Sequence, residues 1–129
     1  MTHHVVLAII SLAKGSHKRP QDGMCLMEAV AWFAGEKFSD HPSCVSPAIG
    51  AFGRVWNDAL DDDGRQRLKA YIPSLVGTAT TAADEDARAW LATDWFVRTF
   101  APAWLRLAGH SVDATALESL PALASDALA

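Results

Sequence analysis

Cysteine is scarce in this chain. Two residues in 129 are too few for a disulfide framework, and a reducing cytoplasm is the expected setting. Basic runs are missing too. No cluster extends beyond Lys18-Arg19, and the formal charge is −4 with a pI near 5.6. A nucleic-acid binder that works by neutralising phosphates is therefore not expected. Long apolar stretches are also absent. The opening run VVLAIISL, at 5–12, is eight residues and includes Ser11. It is too short to cross a bilayer, and it lacks the basic flank and small-residue cleavage site of a leader.

What remains is an ordinary globular composition, half hydrophobic and 20% charged. The length predicts one domain able to bury a core without staples. Five tryptophans are many for this size, and Trp56, Trp90, Trp95 and Trp104 fall in helical patterns that predict core packing.

The apolar run at 5–12 is ambiguous between a short helix and extended packing. Residues 14–23 form a loop punctuated by Gly15, Ser16, Pro20 and Gly23. Asp22 is the expected N-cap of a helix over 23–34 that stops at Gly35. An eleven-residue loop follows over 36–46, long enough to suggest function. Ser46 and Pro47 then predict a cap and first turn. That second helix has an apolar face of Ala48, Ile49, Phe52, Val55, Trp56, Ala59 and Leu60. Arg54, Asn57, Asp58 and Asp61 lie opposite.

The turn Asp61-Asp62-Asp63-Gly64 opens a helix to Ile72, with Leu68, Tyr71, Ile72, Leu75 and Val76 expected inside. Thr81-x-x-Asp84 caps the longest helix, over 82–100, and Pro102 kinks or ends it. The tail over 112–129 reads as a last helix interrupted at Pro121. The fold class is all-α: one compact bundle of five or six short helices over 1–129. Its apolar segment 4–12 and tail 112–129 are expected to pack on a core of 20–108.

The chemistry-bearing residues gather between Asp22 and Asp58. Cys25 at the third position of its helix would feel the positive dipole end that favours a thiolate. With His41 or His17 as base, it makes a candidate catalytic set that also includes Glu28. The bland alternative is an inert buried thiol. His41-Pro-Ser-Cys44 has metal-ligand spacing, and Cys25 and His17 complete a Cys2His2 set suited to zinc. A Cys25–Cys44 disulfide is the third option. Glu28 is the one charge on an apolar helix and needs a partner. Arg54, or the backbone of the loop after Gly35, is expected to supply it. Asp40, Arg54, Trp56, Asn57 and Asp58 are candidates for structural or binding roles around that loop. Asp94 and Arg98, four apart, make an ordinary helix pair.

The segments DGMCLMEAVAWFAGE, SDHPSCVSPAIGAFGRVWNDAL, IPSLVGT and RAWLATDWFVR resemble a small family of actinobacteria and bacteriophages. Its recurring features are a Cys-x-Met-Glu-Ala helix, an Asp-His-Pro-x-Cys loop and a Trp-Asn-Asp helix end. The resemblance covers roughly residues 20–107. It implies that the helix–loop–helix from Cys25 to Asp58 is the family's characteristic unit, and that a phage or prophage is one setting. It brings no activity with it.

Three readings stand side by side. The first is a cytoplasmic accessory factor that binds a protein partner, with no nucleic acid, membrane or cofactor, and with self-association open. The second is a thiol- or zinc-dependent enzyme centred on Cys25. The third is a purely structural role for the Cys25–Glu28–His41–Cys44 motif.

Overall fold

The computed structural model describes residues 7–124, and its fold is all-α. Two compact units divide the chain, Met1–Thr80 and Thr81–Ala129. The first holds α1 (Leu26–Ala34), α2 (Pro47–Ala59) and α3 (Asp62–Gln66). A 3-10 turn (Arg67–Tyr71) and α4 (Ile72–Leu75) complete it. The second holds α5 (Ala82–Trp95), a π segment (Phe96–Phe100), α6 (Ala101–Leu107) and α7 (Ser111–Glu118).

The ambiguous opening segment takes both of its expected forms. Residues 7–9 are helical, and the chain then runs extended, with Ile10 and Leu12 buried. Val5 and Val6 lie outside the described residues. A buried extended strand needs partners for its backbone. Here a single parallel bridge joins Leu12 to Met24, and side chains do the rest. Gln66 accepts from the Leu12 amide at 2.9 Å and donates to its carbonyl at 2.8 Å. Lys69 reaches the Ile10 carbonyl at 3.0 Å.

That bridge moves the start of α1. With Met24 held extended, the helix begins after Cys25, which is itself the N-cap. Asp22, the expected cap, instead pairs with Arg19. At the other end Gly35 (φ +73°) closes the helix as expected. Its amide bonds the Trp32 carbonyl, and the Glu36 amide bonds that of Ala31, the Schellman pattern. Leu26 through Ala31 are all buried, so α1 is the central rod of the first unit.

Ser46 and Pro47 start α2 as expected, with Ser46 Oγ accepting from the Ile49 amide at 3.3 Å. Its buried face is not the one the apolar pattern predicts. Gly50, Gly53 and Asn57 face inward, whereas Phe52 and Val55 are 63% and 72% exposed. The reason is close approach. A Cβ at Gly53 would sit 2.8 Å from Met27 Cε, so the glycine leaves the methionine end its place between α1 and α2. In the following segment Leu68 and Ile72 are buried as expected, but Tyr71 and Val76 are exposed.

In the second unit Thr81 Oγ1 caps α5 through the Asp84 amide at 3.1 Å. The helical path then continues past Pro102 instead of ending there. Proline offers no N–H, and its ring crowds the carbonyl four residues back. The wider π turn before it gives that ring room, with the Ala101 amide bonding back to the Phe96 carbonyl. α7 packs on α6 and on the π segment. The tail leaves its helix after Glu118, and the Leu123 amide bonds Asp94 Oδ1 at 2.8 Å. Residues 125–129 of the expected tail helix lie outside the described residues. No helix among those described is long and apolar enough to cross a membrane.

Candidate functional site

Glu28 is the hub of the cysteine-bearing region. It is 1% exposed, and its carboxylate accepts three hydrogen bonds. Oε1 takes the His17 amide at 2.5 Å. Oε2 takes the Cys25 amide at 2.8 Å and lies 2.8 Å from His17 Nδ1. The Glu28 amide in turn points at Cys25 Sγ, 3.5 Å away. This is a capping box with a thiol in the place of the usual hydroxyl. The expected partners of Glu28, Arg54 and the loop after Gly35, are therefore replaced by the loop that precedes α1. Arg54 donates instead to the Asp40 carbonyl at 3.2 Å and holds the 36–46 loop itself.

Asn57 is the second hub. It is buried, and its Oδ1 accepts from the Leu26 amide at 3.0 Å. Its Nδ2 donates to the Ala13 carbonyl at 3.0 Å and to Asp58 Oδ1 at 2.9 Å. Asp58 also takes the Gly15 amide at 2.9 Å. That amide first, then Asn57, holds the Asp58 carboxyl below its usual range, because both bonds favour the charged form. One side chain thus ties α2 to the start of α1 and to the opening segment.

Of the four expected zinc ligands, His17 and Cys25 meet at Glu28, while His41 and Cys44 take other partners. His17 is on Glu28 and Cys25 caps α1, while His41 Nδ1 sits 2.7 Å from Asp40 on the surface. Cys44 lies against Glu36, which also accepts from the Ser43 amide and hydroxyl. Both thiols are free. No group of three or more His, Cys, Asp or Glu side chains among the described residues is placed to hold a metal.

The arrangement does not activate Cys25. Burial, and then the neighbouring Glu28 charge, push its thiol up to about 12, so it stays neutral near pH 7. The helix-dipole argument for a thiolate is outweighed by desolvation. A polar pocket forms beside Cys25, bordered by Gly15, Ser16, Asp40, Arg54 and Asp58. Its volume of about 160 Å³ is small beside the roughly 300–1,000 Å³ of ordinary ligand sites.

The largest unexplained feature lies on the second unit, by itself. Leu91, Trp95, Phe96, Phe100, Trp104 and Leu107 are all exposed, Trp104 by 60% and Leu107 by 81%. Successive rings touch: Trp95–Phe100 at 5.3 Å, Phe96–Phe100 at 5.5 Å and Phe100–Trp104 at 6.1 Å. In α5, α6, α7 and the π segment, only Pro102 and Ala114 are buried. The core reading of Trp95 and Trp104 is thus overturned. Helical spacing marks these aromatics as one stripe, but carries no information on whether another segment covers it. On the first unit, a smaller ring cluster of Phe52, Trp56 and Tyr71 is also exposed.

Comparison with family models, characterised proteins and solved structures gives no match for this chain.

Proposed function

We propose that this chain is an accessory protein that acts by binding a protein partner through the aromatic face of its second unit. The observation that carries the reading is the exposed stripe from Leu91 to Leu107, set on a unit with almost no buried side chains of its own. Apolar patches of this kind mark interaction surfaces. Aromatic side chains are the ones that dominate binding energy at such surfaces. The neutral, buried thiol and the engagement of His17 by Glu28 and of His41 by Asp40 support binding over catalysis. Two free cysteines support a cytoplasmic setting. The family resemblance adds a phage or prophage as the context.

The test is crosslinking in the native host, with identification of the captured chain. Wild-type protein is expected to capture a partner that Leu91→Asp/Leu107→Asp loses while its melting temperature is unchanged. Identical capture by both proteins would overturn the reading.

A further inference from the structure

We propose that the partner segment is a cationic amphipathic helix, leucine-like on the face it lays down and arginine-bearing along the flank of that face, laid lengthwise along residues 91–107. This rests on the reading of the chain as a binding protein, and three observations lead to the partner's chemistry.

The first is shape. Leu91, Trp95, Phe100, Trp104 and Leu107 are spaced by four, five, four and three residues. The step of five falls across the π segment, whose wider turn keeps Trp95 and Phe100 in ring contact. The stripe is therefore unbroken over roughly 24 Å, the length of one partner helix of similar span.

The second is charge. Residues 81–129 hold seven Asp and Glu against three Arg and no Lys, so this unit carries the chain's whole net charge of −4. All three arginines are already paired within it: Arg88 with Glu85, Arg98 with Asp94, and Arg106 with Glu118. The unit as a whole is negative. A second copy would bring the same negative charge, and an anionic membrane would be repelled.

The third is a place for the cation. Asp86 is exposed and borders a groove of about 460 Å³ with Trp90, Leu91, Asp94 and Leu123. Leu91 belongs to both groove and stripe. An arginine there meets the Asp86 carboxylate, and the ring faces beyond attract further guanidinium groups.

The experiment titrates two synthetic helical peptides into the full chain, following tryptophan fluorescence and heat. They share one leucine face and differ only in carrying Arg or Glu along its flanks. The Arg peptide is expected to bind about tenfold more tightly or better, with an advantage that shrinks as salt rises. Asp86→Lys is expected to remove several-fold of that advantage, and Leu91→Asp/Leu107→Asp to abolish binding, all without changing the melting temperature. Equal affinity for the two peptides overturns the partner chemistry and leaves the binding face standing. Binding by neither peptide overturns both, as does peptide binding that Leu91→Asp/Leu107→Asp leaves intact. Sedimentation showing a dimer that excludes the peptides, or capture of phosphatidylglycerol vesicles in preference to them, overturns the proposal in favour of those occupants.

Discussion

A carboxylate taken out of water must recover its hydration from fixed donors, and Glu28 recovers it from three. Removing it strands the Cys25 amide, the His17 amide and the imidazole together. Glu28→Ala is expected to cost about 3 kcal/mol or more in urea unfolding, the scale of a broken buried charge network. Cys25 shows the opposite case, a group kept neutral by burial. Its thiol is raised from an ordinary 9.0 to about 12. Between those values the unfolded chain has released the proton and the folded chain still holds it. Its contribution is therefore whole below pH 9 and is lost as pH rises towards 12. At neutral pH, iodoacetamide is expected to modify half-exposed Cys44 before Cys25, and intact-mass peptide mapping reads the order. Asp58 has the reverse sign, since its folded carboxyl is held low. The stability it adds is present above the ordinary carboxyl range near 3.9 and is lost as pH falls through its folded value. Asp58→Asn is expected to flatten that acid limb in thermal melts taken across pH.

At the scale of elements, backbone access decides more than hydrophobicity. α2 turns its glycines and Asn57 inward because Gly53 lets Met27 approach and Asn57 satisfies the Leu26 amide and the Ala13 carbonyl. Asn57→Ala would leave the buried Leu26 amide and the half-buried Ala13 carbonyl unpaired, and is expected to cost about 2–3 kcal/mol by denaturation. Two glycines with positive φ separate strain from contact. Gly35 (φ +73°) has open space where a Cβ would go, so Gly35→Ala is expected to cost only about 1 kcal/mol. Gly23 (φ +128°) would place its Cβ 2.8 Å from His17 Nε2. Gly23→Ala is expected to cost more than Gly35→Ala and to shift the His17 ring signals in NMR, because it pushes the imidazole off Glu28. The helix punctuation was legible in the sequence: Ser46-Pro47, Gly35 and Thr81 all act as their residue types predict. Caps are local hydrogen-bond solutions, so local sequence carries them. Asp22 failed as a cap because the bridge from Leu12 to Met24, a contact between segments, held the chain extended past it.

At the scale of the whole molecule, the net charge lies in the acidic residues of 81–129, alongside the exposed aromatic stripe. Leu91→Asp/Leu107→Asp places charge on positions 72% and 81% exposed, so folding is expected to be indifferent and only partner binding to change. The all-α class, the helix sites and the long 36–46 loop followed from the residues alone. Helical periodicity, caps and turn residues are short-range properties that a sequence writes out directly. Which face of α2 is inside, which histidine meets Glu28, why Cys25 stays a thiol, and that Trp95 and Trp104 are exposed were decided only by tertiary structure. Each depends on how closely segments distant in the chain approach one another, and that is not encoded in local pattern.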